Sequence, residues 1–102
     1  VTLSLMQKRT MKPGRPAGAT TYEAEPAIAF GKAVRAARVA RQISQEELAT
    51  RAGIERSHMG KIERGQHMPT LALILRVATA LNETAANLMA ATENNLQVDL
   101  KN

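Results

Sequence analysis

Arg56, Ser57, Lys61 and Arg64 fall within nine consecutive residues. Met59 and Ile62 between them supply an apolar face at helical spacing, so the polar side chains must point the other way. A guanidinium or ammonium on such a face suits guanine O6 and N7, and a serine hydroxyl can serve several bases. Spacing alone favours the plainer reading, an ordinary solvated helix face. Little else in the chain suggests bond-breaking chemistry. There is no Cys, which removes thiol catalysis, disulfide scaffolds and every Cys-ligated zinc module. The two histidines, His58 and His67, make no metal site by themselves. No nucleophile–base pairing, metal cluster or phosphate loop is legible. The expectation is a non-enzyme without metal, cofactor or small-molecule substrate.

Charge points to the partner. The net charge is +5 over 102 residues, and its distribution says more than its sum. Residues 1–22 hold Lys8, Arg9, Lys12 and Arg15 with no acid. Residues 32–64 hold eight bases against Glu46, Glu47, Glu55 and Glu63. Residues 65–102 hold Arg76 and Lys101 against Glu83, Glu93 and Asp99. A basic excess in the first two thirds is expected of a surface that faces a polyanion. Only two aromatic residues, Tyr22 and Phe30, argue against folds that stack bases on aromatic platforms. The longest apolar run, Leu71 to Leu75, is far short of the roughly 20 residues of a membrane span. Val1 to Met6 precede Lys8 and Arg9, the wrong order for a secretory leader. A soluble cytoplasmic protein with no membrane partner is expected.

Such side chains need elements to position them, and the length allows one domain. Residues 1–22, punctuated by Pro13, Gly14, Pro16 and Gly18, read as a flexible basic N-terminal arm. Phe30, Val34 and Ala37 set one helical stripe from Pro26 to about Arg41. Ser44 and Glu47 form a capping box for a second helix that Gly53 ends. The box and the helix dipole also explain the adjacent carboxylates Glu46 and Glu47 better than catalysis does. A third helix runs from about Glu55 to Arg64 with Gly65 as its stop. A fourth begins at Pro69 and Thr70, with Leu71, Ile74, Val77, Ala78 and Leu81 as its stripe and Asn82 as its left-handed end. Thr84 caps a short fifth helix carrying Ala85, Leu88 and Met89. The folded domain is expected over 23–91. Residues 92–102 read as a C-terminal tail, where Leu96, Val98 and Leu100 alternate as in a strand or simply fray.

Two short helices joined at Gly53 are a helix-turn-helix arrangement. Within the 20 residues from Gln45 to Arg64, Leu48, Ala52, Ile54, Met59 and Ile62 stand where apolar contacts are needed. Ala49 supplies the small residue at the crossing and Gly53 the turn, so seven constrained positions agree. From Phe30 to Leu88, 59 of 102 residues, the chain resembles the Cro/phage-repressor (XRE-type) helix-turn-helix family of bacterial and phage regulators. The segments that carry the resemblance are FGKAVRAAR (30–38), SQEELATRAGI (44–54), MGKIERG (59–65) and MPTLALILRVATAL (68–81).

The resemblance implies an all-α, compact five-helix domain and a homodimer on a double-stranded DNA operator of two similar half-sites. It implies transcriptional repression most often. The third helix then resembles the recognition helix, with Arg56, Ser57 and Lys61 reading bases. Gln45, His58, Arg64, Gln66 and His67 would lie along the DNA backbone. The resemblance also pairs Arg38 with Glu63 as a partly buried brace, which makes Glu63 structural. Gly60 departs from the pattern, since glycine inside a helix costs roughly 1 kcal/mol relative to alanine. It either permits close approach to DNA or merely weakens the helix. Glu55 would repel a phosphate or accept from cytosine N4. Leu73 falls on a position that is usually polar, so exposure and a dimer contact are expected of it, together with Leu88 and Met89. In the arm, Lys12-Pro13-Gly14-Arg15-Pro16 is similar to an AT-hook core, which makes Lys12 and Arg15 candidate DNA contacts. The rival reading is a helix-turn-helix used for protein contact, such as the antitoxin half of a toxin–antitoxin pair. A basic outward face on the third helix favours DNA.

Overall fold

Side-chain hydroxyls cap the starts of three helices, and left-handed residues follow the ends of four. The structure, a computed structural model, describes residues 22–101, with side chains through Gln97. In order these form α1 (Ala24–Ala40), α2 (Gln45–Ala52), α3 (Arg56–Glu63), α4 (Leu71–Ala80) and α5 (Ala85–Lys101), with no strand among the described residues. The Ser44 hydroxyl accepts the Glu47 N–H at 2.9 Å to open α2. Thr70 does the same for Leu73 at 3.1 Å before α4, and Thr84 for Asn87 at 3.0 Å before α5. Each such cap is worth about 1 kcal/mol. Only half of the capping box forms, because the Glu47 carboxylate turns to Arg51 at 2.6 Å. Left-handed backbone ends the helices at Gly53, Gly65 and Asn82, and also at Gln42 (φ 58°), which no turn signal in the sequence marks.

The core gathers Phe30 and Val34 of α1, Leu48 and Ala52 of α2, Met59 and Ile62 of α3, Leu73 and Val77 of α4, and Leu88 of α5. Burying such side chains contributes roughly 1.5–3 kcal/mol each. Two glycines set how closely α1 meets the end of α3. A Cβ on Gly31 would lie 2.7 Å from the Glu63 carbonyl oxygen. One on Gly65 would lie 2.7 Å from the Ile28 Cα, at a φ of 74° that already favours glycine. The Tyr22 hydroxyl donates to the Gly65 carbonyl at 2.6 Å, tying the start of α1 to the same place.

Two expectations are corrected. Leu73 is 3% exposed and Leu88 2%, so neither is available for a contact with a second chain. The buried stripe of α4 is Leu73, Val77 and Leu81 at i, i+4 and i+8, and it leaves Leu71 and Leu75 facing outward at 71% and 49% exposure. Residues beyond 91 are not a strand, because α5 runs unbroken to Lys101. Its added turns find partners on α1: the Asn95 amide donates to the Ala29 carbonyl at 2.9 Å. The Thr92 hydroxyl, buried, bonds back to Leu88 at 2.9 Å. Among the described residues no helix is long and apolar enough to cross a membrane.

Candidate nucleic-acid interface

Left-handed Gly53 reverses the chain between α2 and α3, and the Ile54 N–H reaches the Ala49 carbonyl at 3.0 Å across the turn. With Met59 and Ile62 fully buried, α3 is fixed in rotation. Arg56, Ser57, Lys61 and Arg64 are all exposed, and they share the side away from the core. Gly60 is the exception among the outward positions, for it is buried.

Behind this face one carboxylate joins three helices. Glu63, with a side chain 3% exposed, accepts Arg38 Nε at 2.6 Å and Nη2 at 3.0 Å, and Gln45 Nε2 at 3.0 Å. Arg38 Nη1 also donates to the Ile43 carbonyl at 3.1 Å. Two parallel bonds from a guanidinium to a carboxylate are among the stronger polar contacts in proteins. The Glu63 hydrogen bond raises the Arg38 pKa, partly offset by burial. The arrangement sets the tilt of α3 against α1 and commits the Gln45 amide. One of its two N–H donors is spent inward, and its Oε1 is left free.

The C-terminal end of α3 carries a second polar group. Arg64 Nε donates to Gln66 Oε1 at 3.1 Å, and the Gln66 N–H closes on the Lys61 carbonyl at 2.8 Å. His58 and His67, both half-buried, meet edge to face with ring centroids 4.4 Å apart and planes at 87°. His58 Nε2 is buried without a partner. Burial, then the neighbouring His58 and Lys61, push the His67 pKa below its ordinary value. Gln45, Arg56, Ser57, His58, Lys61, Arg64, Gln66 and His67 thus come from α2, α3 and the loop after α3. Met89 lies elsewhere, on α5, half-buried against the core. Lys12 and Arg15 lie outside the described residues.

Sequence reasoning passed over Gly31, Tyr22 and the inward turn of Gln45. The only mark of the first two is type: a glycine inside a helix, and the chain's sole tyrosine just before one. The commitment of Gln45 depends on how α2 and α3 cross, which no local pattern records.

A family model described as helix-turn-helix matches residues 34–88. An uncharacterized HTH-type transcriptional regulator of Sinorhizobium fredii is 47% identical over 49 residues, covering 48% of this chain and only 25% of that protein. The control protein C.SmaI of Serratia marcescens is 36% identical over 56 residues, 55% of this chain and 67% of that one. The crystal structure of the restriction-modification controller protein C.AhdI from Aeromonas hydrophila is similar with a TM-score of 0.60. It is 42% identical and covers 61% of this chain and 94% of its own.

Proposed function

The chain belongs to the helix-turn-helix family of transcriptional regulators, of the Cro/phage-repressor type, and from that premise we propose that it binds double-stranded DNA sequence-specifically, as a homodimeric repressor on an operator of two half-sites. One observation carries the reading. Arg56, Ser57 and Lys61 project outward from a short helix whose rear is fixed in place by Met59, Ile62 and the Glu63 carboxylate. A reader must present its donors without reordering its own frame, and this frame is already closed. In this proposal Arg56 and Lys61 meet guanine edges and Ser57 an adjacent base. Arg64, Gln66, His58 and His67 lie along the phosphates. Gln45 serves a phosphate through the free backbone N–H groups at the start of α2, with one of its two side-chain N–H donors given to Glu63. Lys12 and Arg15 add contacts from the arm.

The second copy is proposed to sit against the outward apolar residues of α4, Leu71 and Leu75, with Met89 at the margin. Two recognition helices about 34 Å apart would then enter successive major grooves. Two relatives are named as control or controller proteins, which supports a regulatory role; the proposed place of action is the cytoplasm. Selection of bound sequences from a random DNA pool tests the reading, followed by titration of Arg56→Ala on the best site. A loss of about 1–3 kcal/mol with relaxed preference at particular base pairs is expected. Unchanged affinity and unchanged preference would remove α3 from the role of reader.

A further inference from the structure

Gly60 sits in the body of α3, an eight-residue helix, without the left-handed φ that justifies Gly53 and Gly65. Alanine there would favour the helix by about 1 kcal/mol, so the missing methyl group calls for another explanation. Although it lies on the outward side, Gly60 is covered, and what covers it is side chain. A Cβ would lie 3.0 Å from Arg64 Nη1, 3.5 Å from Gln45 Oε1 and 3.6 Å from Arg64 Cζ. The Arg64 guanidinium therefore folds back over Gly60, held at Nε by Gln66 Oε1 at 3.1 Å. Also beside Gly60 stands the oxygen of Gln45, whose nitrogen is fixed by Glu63 at 3.0 Å. The side chain remains exposed while its head has a seat. An arginine left to rotate freely would lose that freedom on meeting a phosphate, at a cost in affinity.

We propose that Gly60 is a positioning residue whose absent side chain seats the Arg64 guanidinium, ready-oriented, for one phosphate of bound DNA. The inference rests on the reading of α3 as the DNA-facing helix and names a residue on that face which touches no DNA itself. Because the nearest atoms a methyl group on Gly60 would meet are the ends of the Arg64 and Gln45 side chains, with the tight approach only at Arg64 Nη1 at 3.0 Å, Gly60→Ala folds and the Arg64 head must shift from its seat.

The test compares the full chain with Gly60→Ala, Arg64→Ala and the double variant on an operator chosen by selection from random DNA. Gly60→Ala is expected to raise the thermal midpoint yet weaken binding about three- to tenfold, with the salt slope unchanged. In the Arg64→Ala background, where the slope is already shallower by about 0.9, it costs nothing further. In the free protein the Arg64 Nε–H resonance, slowed in exchange by Gln66, is expected to be lost in Gly60→Ala. A Gly60→Ala protein with unaltered affinity overturns the proposal, and so does an equal loss in both backgrounds, which would place the methyl group against DNA itself. Failure of the unaltered chain to select any sequence would instead overturn the regulator reading on which the proposal stands.

Discussion

The Glu63 carboxylate takes donors from two other helices, and removing its charge leaves the Arg38 guanidinium largely buried without a counterion. Loss of one partner from a buried pair costs about 3–5 kcal/mol, and with Arg38 side-chain exposure at 14% the lower end is expected for Glu63→Gln. Glu46 is exposed, and a substitution there stays within about 0.5 kcal/mol. Equal thermal midpoints for Glu63→Gln and Glu46→Gln would contradict the brace. His67 gives the fold a dependence on pH. Its protonation is harder in the folded chain than in the unfolded one, through burial first and then His58 and Lys61. The unfolded state therefore gains protons first as pH falls. The stability His67 contributes is complete above about pH 6.5 and drains below it, down to the depressed folded value. Thermal midpoints measured at falling pH should show a decline that is shallower in His67→Gln; identical profiles would leave the decline to other groups. At this scale the pairing of Arg38 with Glu63 was legible only through likeness to a family, because nothing in spacing joins residues 25 apart. The inward turn of Gln45 was not legible at all.

Helix boundaries were the most readable part, for a reason that is local. Ser44, Thr70 and Thr84 accept from an N–H three residues on, and Gly53, Gly65 and Asn82 take positive φ. Neither needs information from elsewhere in the chain. Which face of α4 is buried was less readable, since leucines at 71, 73 and 75 offer two stripes and only the packed neighbours choose between them. The course of α5 was misread for the same reason. Leu96, Val98 and Leu100 alternate, but Asn95 finds Ala29 across 66 residues, and that bond forms only when α1 is already in place. A chain ending after Ala91 should consequently lose stability as well as length. Without Asn95 the Ala29 carbonyl loses its side-chain partner, and the cost is about 1–3 kcal/mol if the group stays dry. Denaturant unfolding checks this, and a midpoint equal to that of the full chain would make the last turns of α5 dispensable.

Across the whole molecule the basic excess lies in the first two thirds of the sequence, while outward apolar residues are Leu71 and Leu75 on α4 and Tyr22, Ile28 and Val39 in or just before α1. Deleting residues through Ala19 keeps Tyr22 and its bond to Gly65, so fold and base preference should persist. Binding should weaken at low salt with a shallower log–log slope, by about 0.9 for each phosphate the arm neutralises. The same slope and affinity as the full chain would make the arm a bystander. Leu75→Asp addresses assembly, because Leu75 is 49% exposed and carries little of the core. The variant should keep its thermal unfolding at low concentration yet sediment as a monomer at micromolar concentration, where the parent is expected to sediment as a dimer. A parent that is itself monomeric there would remove α4 as the seam. Last, consider the near-contact of Gly31 with the Glu63 carbonyl. Backbone packed on backbone has no rotamer to change, so α3 has no means of altering its pitch to suit an ill-fitting groove. Any mismatch in curvature or twist has to be absorbed by the duplex, and a bendable pyrimidine–purine step at base pairs the protein never touches then becomes part of what is selected.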